Sequence, residues 1–230
     1  MDDRSASVSA VAALAEPTRR RLYDHVVAQP DPVSRDEAAE AVAVPRATAA
    51  FHLDRLVDDG LLEVQFERRT GRTGPGAGRP SKLYRRADCT VEVSFPERHY
   101  DLAGDLLAAA MAEAEDSGES PRAALARLAY ERGRQLGEEA PPGDGRAAAL
   151  RVLEEHGFEP RTEDGAGTLA NCPFHGLARE HTELVCGMNL RLLEGVLDGL
   201  PEAGLVARLR PQPGVCCVRL ESPDAAPSGD

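Results

Sequence analysis

Hydrophobic positions in the first third of the chain recur at helical spacing and then switch to alternation. Ala15-Glu16-Pro17-Thr18-Arg19-Arg20-Arg21-Leu22 opens an amphipathic helix that turns Leu22, Val26 and Val27 toward a core. Ser34 is placed to cap a short helix over Arg35 to Val42, with Glu37 at the reciprocal capping-box position. After Val44-Pro45, a third helix is expected from Arg46 to Asp59, stopped by Gly60. At about 100° per residue, Ala49, Leu53, Leu56 and Val57 share its inner side, and Thr48, Phe51 and Arg55 its outer side. Leu61 to Phe66 alternates as a strand, and Lys82 to Arg86 can return beside it.

Beyond residue 88 the pattern becomes helical again. Tyr100 to Ala114 carries the stripe Ala103, Leu106, Leu107, Ala110 and Met111, and Ser120-Pro121 starts a helix through Leu125, Leu128 and Leu136 to Gly137. These helices are a dimerisation segment or an intrachain pair, because periodicity serves both. Pro141-Pro142-Gly143-Asp144-Gly145 reads as a separating loop. A helix ending at His156-Gly157, a strand pair around Phe158 to Ala170, a helix from Gly187 to Leu200, and strands near Leu205 to Leu209 and Cys217 to Leu220 follow. The expected organisation is α+β: an N-terminal winged helix-turn-helix (1–88), a central helical segment (89–140), a C-terminal α+β metal-binding domain (141–223) and a tail (224–230). There is no internal repeat.

Two helices joined by about three residues are the helix-turn-helix signature. Its second helix would place Thr48, Phe51 and Arg55 in a major groove, with Arg46 and His52 flanking them within reach of phosphates or base edges. The bland alternative is a helix-pair interface with Phe51 in the core and His52 merely solvated. The hairpin that follows tips the balance. From Arg68 to Arg86 there are seven basic residues and no acid, including Arg68, Arg69, Arg72, Arg79 and Lys82 on a glycine-rich connection. Such a wing suits phosphates or a minor groove, and its glycines match no phosphate-binding loop because no helix opens after them.

Charge localises this reading. The chain carries a net charge of -12, but residues 1–86 hold 14 basic and 13 acidic residues, leaving 13 and 26 for the rest. Double-stranded DNA contact therefore belongs to the first third. No apolar run approaches the ~20 residues of a membrane span, and Met1-Asp2-Asp3-Arg4 lacks signal-peptide features, so a cytoplasmic protein is expected.

In a reducing compartment, clustered cysteines favour metal ligation over disulfides. Cys172, Cys186, Cys216 and Cys217 lie near the C-terminus with His175 and His181 among them, whereas Cys89 stands alone, as a small buried hydrophobe would. Only Cys172 and His175 approach the short spacing of zinc ribbons. Ligands so dispersed meet only on folding, which couples occupancy to conformation. Cys186 is expected at a helix N-terminus, where the dipole favours a thiolate. In a regular strand Cys216 and Cys217 would point to opposite faces, so both could ligate only if the strand were broken. A structural zinc of Cys₃His type is the alternative. An enzyme built on redox thiols has no Cys-x-x-Cys, nucleophile elbow or paired carboxylates to support it.

Ala15-Glu16-Pro17-Thr18-Arg19-Arg20 and the segment ending in Gly60-Leu61-Leu62 resemble the ArsR-like winged-helix regulators. Thr48-Ala49-Ala50-Phe51-His52-Leu53-Asp54-Arg55-Leu56, Gly78-Arg79-Pro80-Ser81-Lys82-Leu83-Tyr84 and the cysteine region are together similar to the SufR-type iron-sulfur-responsive repressors. The resemblance implies a homodimer that represses cluster-assembly genes while a [4Fe-4S] cluster is bound. It also implies three cysteine ligands, mapping onto Cys172, Cys186 and one of Cys216 or Cys217, with Cys216 preferred and His175 a candidate fourth. Zinc- or arsenic-binding relatives carry cysteines on the recognition helix, and this one has none.

Overall fold

The computed structural model describes residues 3–67, 80–141, 143–163 and 166–223. The chain divides into two compact units, 1–93 and 94–230.

In the first unit α1 (Asp3–Ala13) precedes α2 (Pro17–Val27), whose entry is set by Pro17 at the first helical position and by the Glu16 side chain, which accepts from the Thr18 and Arg19 amides. β1 (Val33–Ser34) leads into α3 (Arg35–Val42), and the Ser34–Glu37 capping box forms as expected. Ala43 closes α3 in the left-handed region (φ 55°), which turns the chain sharply toward α4 (Arg46–Asp58). Gly60 (φ 74°) then admits β2 (Leu62–Glu67), and β3 (Ser81–Arg86) returns antiparallel between β2 and β1. Val64 lies opposite Tyr84, and Phe66 opposite Lys82. Leu22, Val26, Ala38, Ala49, Leu53, Leu56, Leu62 and Tyr84 fill the core. This is a winged helix-turn-helix. The helix α1 was not anticipated; its Ser/Ala-rich text has a weak apolar stripe, yet Ala10 and Ala13 are buried in this core.

The second unit contains α5 (Tyr100–Ser117), α6 (Pro121–Glu138), α7 (Gly145–Glu155), β4 (Pro160–Glu163), β5 (Ala166–Leu169), α8 (His175–Glu180), α9 (Thr182–Asp198), β6 (Val206–Leu209) and β7 (Val218–Glu221). Its sheet runs β4-β5-β7-β6 with every pairing antiparallel. One core joins Leu106, Leu125, Val152, Leu169, Leu192 and Leu220. The residues 89–140 and 141–223, separated in the sequence reading, thus share a core from residue 94 onward, and the Pro-rich loop at 141 is a surface connection within it. Met111 departs from its expected stripe and is exposed.

What positions α9 is its approach to α6. A Cβ on Gly133 would lie 2.0 Å from the Leu192 carbonyl oxygen, and one on Gly195 would lie 2.1 Å from that of Tyr130. The two backbones are in direct contact, with no room for a methyl group between them.

Candidate nucleic-acid interface and thiol site

The turn of Ala43, Val44 and Pro45 sets α3 against α4. On α4, Phe51 is 66% exposed and Arg55 is exposed, whereas Thr48 is half-buried. Phe51 therefore lies outside the core, against the bland alternative. Arg46 pairs with Asp36 of α3, and Arg55 Nε lies 3.1 Å from Asp59 Oδ2. His52 differs from its expected flanking role. Its side chain is only 12% exposed, with Nδ1 3.6 Å from Glu16 Oε2 and 3.5 Å from Arg19 Nε. It therefore ties the recognition helix to the capping turn of α2, because its position on α4 falls over that turn.

Asp54 is the functional position that periodicity alone does not reveal, an acid on a face meant for DNA. Lys82 forms an ion pair with it, and the Tyr84 hydroxyl donates to Oδ1 at 2.7 Å. Lys82 Nζ also sits 5.2 Å from the Tyr84 ring centroid. Burial works to raise the Asp54 carboxyl, but the hydrogen bonds from Lys82 and Tyr84 and the charges of Lys82 and Arg35 outweigh it and hold the group below its ordinary range. Burial and Asp54 push the Tyr84 hydroxyl up. The acid is thereby neutralised, and the base of the wing is fastened to α4. Arg68, Arg69, Arg72 and Arg79 lie outside the described residues.

A pH dependence follows. Asp54 favours folding while ionised, so its contribution is complete above the ordinary aspartate value of 3.8 and fades as pH falls through the lower folded-state value. Asp54→Asn is expected to flatten the acid limb of the unfolding profile, measured by circular dichroism of the full chain. Coincident acid limbs for variant and wild type would count against the contact.

In the second unit four cysteines converge. Cys172 leaves β5 in a turn before α8, Cys186 lies on α9, and Cys216 and Cys217 immediately precede β7. Cys172, Cys186 and Cys216 are buried and Cys217 is half-buried. Cys216 lies near enough to Cys172 and Cys217 for each to shift the other's ionisation, and Cys186 lies near enough to Cys217 to raise its thiol. Because β7 begins only at Val218, the two adjacent cysteines sit in irregular backbone, and both join the cluster. The Cys216 amide donates to the Leu169 carbonyl at 2.9 Å, which fixes this segment to the end of β5.

Hydrogen bonding from Cys172 and Cys217 draws the Cys216 thiol well below its usual range. Its own acceptance of those bonds, followed by burial, pushes Cys172 and Cys217 up. Asn189 Nδ2 adds a donor 3.3 Å from Cys216 Sγ. Farther out, Asn171 Nδ2 donates to the carbonyls of Glu97 and Gly157, and Arg98 Nη1 donates to the Cys172 carbonyl at 3.3 Å. Neither Asn189 nor Arg98 was singled out by the sequence reading; Asn189 falls three residues after Cys186, on the same helical face.

Expectations change at Cys186 and Cys89. The helix bearing Cys186 starts at Thr182, not Gly187, so Cys186 sits in its second turn, past the reach of the first-turn dipole effect. His175 is exposed on the first turn of α8, and the hydrogen bonds of the thiols run to one another and to Asn189. Cys89 is exposed rather than buried, its thiol donating to the Gly60 carbonyl at 3.3 Å.

Among the described residues, no group of three or more His, Cys, Asp or Glu is arranged as a ready-made metal shell. Metal or cluster binding to these cysteines would displace their protons. The donor chemistry fits a thiophilic metal or an iron-sulfur cluster, both of which take cysteine thiolates in a dry setting.

A helix-turn-helix domain family model matches residues 14–65, from just before α2 into β2. No curated protein and no solved structure matches the chain. The matched helix-turn-helix domain, with the winged-helix geometry around α4, supports a DNA-binding transcriptional regulator. Among the described residues no helix is long and apolar enough to cross a membrane.

Proposed function

We propose that the chain is a homodimeric, cytoplasmic repressor whose operator affinity is set by a [4Fe-4S] cluster on Cys172, Cys186, Cys216 and Cys217, and that it governs cluster-assembly genes. The observation that carries this reading is that four cysteines dispersed in sequence are neighbours in one largely buried region, where neighbouring thiols shift one another's ionisation. These cysteines come from a turn, a helix and a pre-strand segment. Holding one cluster would therefore tie three elements of the second unit together, and binding free energy becomes conformational free energy. In a dimer that order would set the separation of two recognition helices, which must match half-sites about 34 Å apart.

Anaerobic purification followed by visible absorption and iron, sulfide and zinc analysis tests the cofactor. Matching iron and sulfide, with operator binding that falls when the cluster is removed at fixed salt, is the expected result. Equal operator affinity of loaded and apo protein would sink the sensor. A colourless protein with stoichiometric zinc would make the four thiols a structural site, which a closed set of four sulfur ligands also suits.

The recognition face has its own test. Phe51→Ala is expected to weaken operator binding roughly tenfold, in the range of a groove contact. Stability should stay within about 0.5 kcal/mol, because Phe51 is exposed. Unchanged binding in a fluorescence-anisotropy titration would remove Phe51 from the interface.

A further inference from the structure

Asn189 is buried in the apolar core of the second unit at 1% exposure, yet only half of its amide is used. Nδ2 donates to Cys216 Sγ at 3.3 Å, while Oδ1 is buried with no hydrogen-bond partner among the described residues. A buried amide oxygen left unpaired opposes folding, so folding alone is better served by an apolar side chain of the same shape. Half-satisfied buried polar groups in native structures call for an explanation outside stability. Here the one bond made points to it: the partner is Cys216 Sγ, one of the four clustered thiols.

We propose that Asn189 is a positioning residue of the thiol site. It rests on the reading that these thiols hold a metal or cluster. By donating N–H to Cys216 Sγ from the helix that also carries Cys186, Asn189 fixes the orientation of that sulfur ahead of binding. It also offers Oδ1 to whatever donor enters with the ligand. Hydrogen bonds to ligand sulfurs tune the electronics of thiolate-bound metal, and loss of such outer partners costs about 10–100-fold in metal affinity. The role of Asn189 is thus specificity among sulfurs: of the adjacent pair, Cys216 receives the amide and Cys217 does not.

The test uses the full-length apo protein and Co(II), whose affinity is read by chelator competition and whose thiolate charge-transfer band reports on sulfur hydrogen bonding. For Asn189→Leu we expect affinity about 10–100-fold weaker, a shifted charge-transfer band, and an apo melting temperature equal to or above wild type. Asn189→Asp should weaken affinity further by setting a carboxylate against the thiolate. Equal Co(II) affinity and an unshifted band in Asn189→Leu would overturn the proposal, as would a weakened affinity accompanied by a lower apo melting temperature, which marks a structural role. If wild type takes Co(II) but no cluster, the iron-sulfur reading alone fails. If it takes no thiophilic metal, both fail.

Discussion

Gly133→Ala is expected to destabilise the second unit by at least about 3 kcal/mol, the upper range for overpacking against atoms that cannot yield. The added methyl would stand 2.0 Å from the Leu192 carbonyl oxygen, 2.9 Å from its carbon and 3.0 Å from the Val196 amide nitrogen. All three are backbone atoms of α9, so no rotamer change relieves the clash and the helices must separate. Gly137, Gly195 and Gly199 repeat the situation along the same seam, which means a displacement at one point is propagated along the pair. Since α9 carries Cys186 and Asn189, the consequence reaches the thiol site. In thermal unfolding the transition should fall by about 10 °C or more, and metal uptake at permissive temperature should weaken as well. Gly104→Ala is the matched control. It lies on the exposed face of α5 with nothing within 4 Å of its would-be Cβ, and should stabilise by up to about 1 kcal/mol. A Gly133→Ala protein that melts with wild type would show that the two helices do not pack backbone to backbone.

That seam also explains why one part of the fold was legible in sequence and another was not. Ser34 with Glu37, and the spacing of Ala49, Leu53 and Leu56, are local signals, and α3 and α4 form where those signals place them. The α6–α9 pairing depends on glycines far apart in sequence whose contact no periodicity encodes, so the Pro-Pro-Gly loop between them looked like a domain boundary. The start of α9 was misplaced for a related reason: Gly187 looks like an interruption, while His181 provides no side-chain cap to announce the true beginning.

At the thiol site the residue types were legible, and the local backbone was not. Whether Cys216 and Cys217 could act together depended on where β7 begins, and three residues of shift would have separated them. Asn189 and Asp54 were passed over because each is a polar residue whose meaning comes from a partner distant in sequence, Cys216 in one case and Lys82 with Tyr84 in the other. Such pairings are tertiary facts, invisible to windows of a dozen residues. His52 shows the same limit: the helical wheel puts it beside the outer face, and only the fold shows the Glu16 and Arg19 side chains lying against it.

Replacing any one of the four clustered cysteines with serine is expected to abolish stable cluster retention, and with it the cluster-dependent part of operator binding. The expectation is sharpest at Cys217. Resemblance to the SufR-type repressors asks for only three cysteines and leaves the fourth position open, whereas in this chain Cys217 is half-buried and lies near enough to Cys216 and Cys186 for them to raise its thiol. A hydroxyl there would be a poor ligand for iron and would leave one coordination position to water or to a weaker donor. Cys89→Ser provides the control, because that thiol belongs to the other unit and bonds only to the Gly60 carbonyl. Iron and sulfide content after anaerobic gel filtration, together with anisotropy titration of operator DNA at fixed salt, reads both consequences. Loss at Cys172, Cys186, Cys216 and Cys217 with retention at Cys89 is the predicted pattern. If Cys217→Ser keeps full iron and sulfide while the other three lose it, the cluster is held by three thiols, and the role of Cys217 contracts to a hydrogen bond on Cys216. If no single replacement changes iron content, the converging thiols do not hold the cofactor, and regulation of the winged helix must enter elsewhere.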